Sequence, residues 1–227
     1  NRMQEDRVYD NLLNLPLFLG MSRNDLLEVA GHTKFDFQKT EEGLTIAKEG
    51  EPCKRLYFLL TGELNVITEA DDHGYRIEED IKAPEAFQME CIYGYNQYFT
   101  HTYIAKKECS VMSISKQEMQ KLSDRYEIFR INMFNLISTQ TQKNNRRLYR
   151  VPPKTLSERI IQFFESRCLK PAGEKLFHIK MERLAAEMNV KRIYVSNVLN
   201  ELQKQKLIHL KRGRIYIPQL EKLIVKK

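Results

Sequence analysis

Clustered cysteines, paired histidines and long apolar runs are all missing from this 227-residue chain. Its four cysteines, Cys53, Cys91, Cys109 and Cys168, are scattered and form no Cys-x-x-Cys pair. None falls within residues 1–52, so an iron–sulfur cluster would lack the neighbouring thiolates it needs. With no leader-like segment, the four read as free thiols and predict a reducing cytoplasm. The five histidines, His32, His73, His101, His178 and His209, stand alone. A cupin-like metal centre would need a His-x-His pair and further ligands on strands. Haem would need one axial ligand, and no spacing favours His32, His73 or His101 over the others. No Ser/His/Asp set or paired carboxylates stand out, so an enzyme is not expected, and neither is a metal or a cofactor. No stretch approaches the ~18 apolar residues of a membrane span.

What is present is charge, unevenly divided. Residues 150–227 hold 18 Lys and Arg against 7 Asp and Glu, a net +11, while residues 1–149 sum to −4. A basic final third beside a mildly acidic remainder points to a polyanionic partner for that third.

Within it, Lys180 to Gln205 reads as two helices joined by a turn of about three residues. Leu184, Ala185 and Met188 form the apolar stripe of the first helix; Val195, Val198, Leu199 and Leu202 form that of the second. Ala185 is small where the helices should cross, Asn189 suits a turn position needing positive φ, and Val190 plugs the corner. This is the pattern of a helix-turn-helix. The second helix has a face with no apolar stripe to bury, carrying Lys191, Arg192, Ser196, Asn197 and Asn200, side chains suited to phosphates and base edges. After it, LIHLKRGRIYIP alternates apolar and polar residues around Lys211, Arg212, Gly213 and Arg214. Two short strands with a basic turn make a wing whose three cations can reach DNA phosphate.

Earlier in the chain, residues 3–31 predict helix, with Ser22 and Asp25 placed as a capping pair. From Thr33 to Ile114, short apolar-alternating runs are broken at Gly43, Gly50-Glu51-Pro52, Thr61-Gly62 and Asp72-His73-Gly74. Such spacing predicts an antiparallel sandwich or barrel. Ser115 to Glu118 caps a helix expected to run unbroken to about Tyr149. In it Leu122, Tyr126, Phe129, Met133, Leu136 and Gln140 recur at steps of four and three. That heptad pattern makes Tyr126, Phe129, Met133, Leu136 and Gln140 a candidate seam for a second copy of the chain. Packing against its own barrel is the alternative. Val151-Pro152-Pro153 interrupts the chain, so the expected division is 1–114, 115–150 and 151–227. Thr155 to Glu158 caps a further helix through Ser166.

A β-barrel, a long helix and a winged helix-turn-helix, in that order, resemble the cyclic-AMP receptor protein and fumarate-nitrate regulator family of bacterial transcription factors. The carriers are Gly50-Glu51, LYFLLTGELNV at 56–66, Phe87-Gln88-Met89-Glu90 and ERLAAEMNVKRIYVSNVLNEL. The resemblance implies an α+β protein: a cyclic-nucleotide-binding-like jelly-roll barrel, a long dimerisation helix and a C-terminal winged helix-turn-helix. It also implies a homodimer on double-stranded DNA at a near-palindromic operator, with RNA polymerase as a further partner. Arg192 matches the family's first base-reading arginine, and Ser196 the serine of the fumarate-nitrate branch. Ile193 stands where many members have glutamate, and Asn197 where many have a second arginine.

The effector pocket that the resemblance implies involves Phe87, Met89, Glu90, Phe99 and Thr100, with Asn144 and Asn145 on the facing helix. Glu90 matches the family glutamate, but Met89 replaces a glycine, Phe99 an arginine and Thr100 a serine. A cyclic phosphate there would lack its charge partner. The expectation is a regulator controlled by a small molecule other than cyclic AMP, or by none. Two alternatives stay open: a cyclic-nucleotide sensor with a rearranged pocket, and a scaffold whose winged helix binds protein.

Overall fold

The computed structural model describes residues 2–224. The chain opens with α1 (Arg2–Leu13), a 3-10 turn at Pro16–Phe18 and α2 (Arg23–His32). Eight strands follow: β1 (Phe35–Thr40), β2 (Thr45–Ala47), β3 (Arg55–Thr61), β4 (Glu63–Glu69), β5 (Tyr75–Lys82), β6 (Glu85–Phe87), β7 (Thr102–Ala105) and β8 (Cys109–Ser115). Then come α3 (Lys116–Arg125), α4 (Glu127–Arg147) and α5 (Leu156–Arg167). The rest is β9 (Lys175–Ile179), α6 (Met181–Met188), α7 (Arg192–Lys204), β10 (His209–Lys211), β11 (Arg214–Ile217) and α8 (Leu220–Ile224). This is the expected α+β order, with antiparallel strands in the middle and helices with a short wing at the end.

One compact unit comprises residues 2–64, 82–100 and 104–150. Its sheet runs β1-β8-β3-β6, antiparallel throughout, with Ile114 opposite both Phe35 and Leu56, and Met112 opposite Phe58. Leu56, Phe58, Met112 and Ile114 are buried on one face, as period-two alternation places them, and Val111 is buried on the other. The turn from β3 needs glycine at 62: φ is +95°, and a Cβ there would lie 2.6 Å from the Glu108 carbonyl oxygen. The capping residues behave as their types dictate: Ser22 and Ser115 hydroxyls accept the N–H groups of Asp25 and Glu118 at 3.1 and 3.2 Å.

The helix expected from 115 to 149 is two helices. Tyr126 leaves helical geometry at φ −116°, ψ 106°, and ends α3. Its hydroxyl donates to Glu28 at 2.9 Å, and Arg125 pairs with the same carboxylate. The tertiary bonds to α2 hold the break, which spacing alone does not show. The seam assignment changes with it. Phe129 and Met133 are buried within the protomer, Phe129 lying 5.3 Å from the Phe18 ring. Asn132 clamps the same face by donating to the Leu17 and Leu19 carbonyls at 3.0 and 2.8 Å. Of the five seam residues, Tyr126, Phe129 and Met133 therefore serve the protomer's own fold, leaving Leu136 and Gln140 exposed. The outward face of α4 lies half a turn away and carries Ile131, 45 % exposed, and Phe134, 56 % exposed.

The second compact unit comprises residues 65–81, 101–103 and 151–224. It cuts the chain differently from the expected 1–114 and 151–227 division, because β5 pairs antiparallel with β9, placing Tyr75 opposite Ile179 and Glu79 opposite Lys175. The sheet order here is β10-β11-β9-β5. Ile77 is buried in one core with Ile161, Phe164, Phe177, Leu199 and Leu223, and Tyr75 packs against that core. On the same face of the two strands, one step along from Ile77 and Phe177, Glu79 and Lys175 form a buried ion pair at 2.6 Å, each side chain 1 % exposed. Glu79 also accepts the Leu169 N–H at 2.9 Å, so its second oxygen is not left unpaired. Strand β9 was missed at the sequence level: five residues of alternation are short, and their partner strand lies a hundred positions away.

Candidate nucleic-acid interface

Helices α6 and α7 meet through the residues their spacing nominates. Leu184, Ala185 and Met188 are buried against Val195, Leu199 and Leu202, with Val198 at the margin. The connection turns at Asn189, which adopts the left-handed conformation at φ 53°, ψ 46°. Asparagine tolerates that region better than most residues. The Val190 N–H returns to the Ala185 carbonyl at 3.1 Å and fixes the corner. From α5, Arg159 donates to the Met188 carbonyl and so caps the end of α6. The capping box of α5 is complete, Thr155 and Glu158 each bonding the other's backbone N–H.

With one side of α7 committed to the core, its outward side is polar and exposed at Asn197, Asn200 and Lys204. Asn200 donates to the Ser196 hydroxyl at 3.4 Å. Lys191 and Arg192 are exposed at the start of the helix, whose first N–H groups receive no side-chain cap. The open N-terminus is the positive end of the helix dipole, suited to a phosphate. Arg192 is drawn toward α6 by Glu182, 3.2 Å away, an ion pair not anticipated from the sequence. Ile193 stands 59 % exposed among these polar groups. Tyr194, also exposed, lines a cleft with Ala186, Asn189 and Lys191 at the turn between the helices. It was not among the expected contacts, although its place outside the 3-4-7 stripe was the available signal.

The wing forms as expected. Strands β10 and β11 pair with Lys211 opposite Arg214, and Gly213 takes φ +69° at the reversal. Lys211, Arg212 and Arg214 are all exposed on it. The ring of His209 stacks on Tyr216 across the pair at 5.9 Å, and Gln203 of α7 accepts the Leu210 N–H at 2.7 Å. The wing is thus tied to α7 itself. Cations on two neighbouring elements, with amides between them, can contact phosphates and base edges together.

The barrel residues expected to face an effector are disposed differently. Phe87 and Phe99 are both buried, with ring centroids 5.6 and 5.9 Å from that of Tyr57, so these aromatics pack against the chain's own ring. Between them in sequence, Gln88 is buried in the left-handed region at φ 60°. Its side-chain oxygen accepts the Thr100 backbone N–H at 2.8 Å, and its amide nitrogen donates to Glu90 at 3.0 Å. Met89 is half-buried; Glu90, Asn144 and Asn145 are exposed, and Gln140 donates to Asn144. Gln88 was missed as a site residue, and a polar side chain between apolar neighbours was its only trace. Burial, reinforced by Cys91 and Glu90, pushes the Cys53 thiol up to about 12, and burial raises Cys91 as well. Among the described residues no group of three His, Cys, Asp or Glu side chains could hold a metal ion. None of the described helices is long and apolar enough to cross a membrane.

Comparison with known proteins agrees with this geometry. Residues 37–126 match the cyclic nucleotide-binding domain family, and residues 158–225 the Crp-like helix-turn-helix domain. The cAMP-activated global transcriptional regulator Vfr of Pseudomonas aeruginosa is 22 % identical over 177 residues, spanning 74 % of this chain and 82 % of Vfr. Among solved structures, the Thermus thermophilus catabolite activator protein shares the fold at a TM-score of 0.51 and 17 % identity, covering 92 % of this chain and 97 % of that one. A transcriptional regulator of the crp/fnr family from Eubacterium rectale does so at 0.54 and 19 %, covering 93 % and 97 %.

Proposed function

The chain belongs to the Crp/Fnr family of DNA-binding transcription regulators and is not an enzyme, and on that premise we propose that it reads a near-palindromic operator as a homodimer, without cyclic AMP as its effector. One observation carries the reading of DNA: the outward face of α7 and the basic wing turn are exposed together and tied by the Gln203–Leu210 bond. Arg192, Ser196, Asn197 and Asn200 take the base edges, and Lys191, Lys211, Arg212 and Arg214 the phosphates. The dimer forms through the outward face of α4, where Ile131 and Phe134 leave apolar surface exposed and Ser138, Thr141 and Asn145 continue the same stripe. RNA polymerase is the further partner and the cytoplasm the setting, both in keeping with the family.

The effector reading rests on Gln88. Its oxygen takes the Thr100 N–H, a donor that an anionic ligand would otherwise claim, while Phe99 brings no charge to balance a phosphate. Selection of duplexes from a random pool by the full-length protein, repeated across salt concentrations, tests the first part. Binding should weaken with a slope of about −0.9 in log K per phosphate neutralised. Binding that ignores nucleic acid would favour a protein-binding scaffold instead. Titration calorimetry with cyclic AMP tests the second part, and saturable micromolar heat that raises operator affinity would overturn it.

A further inference from the structure

Resting on that reading, we propose that Ile193 reads a thymine through its C5-methyl group, so that each operator half-site carries an A·T pair beneath the first turn of α7. The buried stripe of α7 is Val195, Leu199 and Leu202. At 100° per residue Ile193 lies about 160° around the helix from Val195, nearly opposite the core. It therefore shares a face with Asn197, Asn200 and Lys204, spaced four, seven and eleven residues on. On that face Ile193 is the apolar member, and it is 59 % exposed.

Isolated exposed apolar side chains are common on protein surfaces. This one occupies the first turn of a recognition helix, the part that reaches base edges in the major groove. The thymine methyl is the apolar group that groove offers. Set against a cytosine amino group or the guanine acceptors, Ile193 would strip water from them and return no hydrogen bond. Discrimination thus works by exclusion as well as by contact. Isoleucine is β-branched and nearly fixed at χ1 in a helix, so it loses little rotamer freedom on seating.

The experiment starts from the operator selected by the full-length protein and replaces each thymine in turn with deoxyuridine, which removes only the methyl. Affinity is read by fluorescence anisotropy for the wild type and for Ile193→Ala. The expected result is one position per half-site where the wild type loses about fourfold, the worth of one buried methyl-sized group. Symmetric replacement in both half-sites should cost about sixteenfold, since distant sites add. Ile193→Ala should be indifferent at that position and unchanged in its response elsewhere. Alanine is the better helix former and the site is exposed, so the variant keeps its fold. Equal deoxyuridine penalties for both proteins at every position would overturn the inference and leave the DNA reading standing. A selected half-site lacking an A·T pair there would do the same. If no duplex is selected at all, the DNA reading falls and this inference with it.

Discussion

Replacing Lys175 by methionine should unfold the DNA-binding unit well before the wild type. The two side chains are similar in volume, so the change removes the charge and leaves the packing. In the wild type, Lys175 and Glu79 meet at 2.6 Å with each side chain 1 % exposed. At an effective dielectric of about 20 the attraction is roughly 6 kcal/mol. Desolvating both ions costs several kcal/mol each, so the intact pair is close to neutral against an apolar pair. Removing one partner is a different matter, because the buried Glu79 carboxylate then loses its countercharge and retains the backbone N–H groups of Leu169 and Lys170. An orphaned buried charge costs about 3–5 kcal/mol. For a unit of this size that lowers the Tm by more than about 10 °C. The double variant Glu79→Leu, Lys175→Met removes the stranded charge and should recover at least half of the loss. The assay is thermal unfolding of the full chain, with hydrogen exchange at the β9 amides reporting whether β5 stays paired. If Lys175→Met unfolded within about 1 kcal/mol of the wild type, the pair would be hydrated in solution and the argument from burial would fail.

On α4, Met133→Ala should cost about 2–5 kcal/mol in protomer stability, because it empties a buried site. Phe134→Ala should leave that stability within about 0.5 kcal/mol yet lower the mass seen by sedimentation at equal concentration. The reverse outcome would put the seam on the Met133 face. Asp72 is held below its usual 3.8 by the hydrogen bond from Arg183 and then by the Gly74 N–H, and Glu221 below 4.5 by the Gly173 N–H. A carboxylate with a depressed folded pKa stabilises above the ordinary range and loses that contribution as pH falls through the lowered value. The Tm should therefore be flat from pH 7 to about 5 and fall below about 4, with Asp72→Asn, Glu221→Gln flattening the acid limb. Burial raises all four thiols, with Cys53 at about 12, so iodoacetamide at pH 8 should label the native protein slowly and the urea-unfolded chain fast.

Local chemistry made much of this protein readable in advance. The stripe Leu184, Ala185, Met188 and Val195, Leu199, Leu202, the left-handed Asn189, the basic reversal at Gly213 and the caps at Ser22, Ser115 and Thr155 each depend on neighbours within a few positions. Helical period, turn preference and capping act over that range, so the order of residues determines them. The exposed face of α7 followed by subtraction, since residues outside the buried stripe must meet solvent or a partner.

Three features were decided only by tertiary structure. The break at Tyr126 depends on Glu28, nearly a hundred residues earlier, and it shifted the free face of α4 from Phe129 and Met133 to Ile131 and Phe134. The burial of Gln88 depends on its side-chain oxygen finding the Thr100 N–H, twelve residues on. The pairing of β5 with β9 joins Glu79 to Lys175 across 96 positions. A heptad records that a helix has an apolar side, not which surface will cover it, and a buried charge is tolerable only once its distant partner is in place.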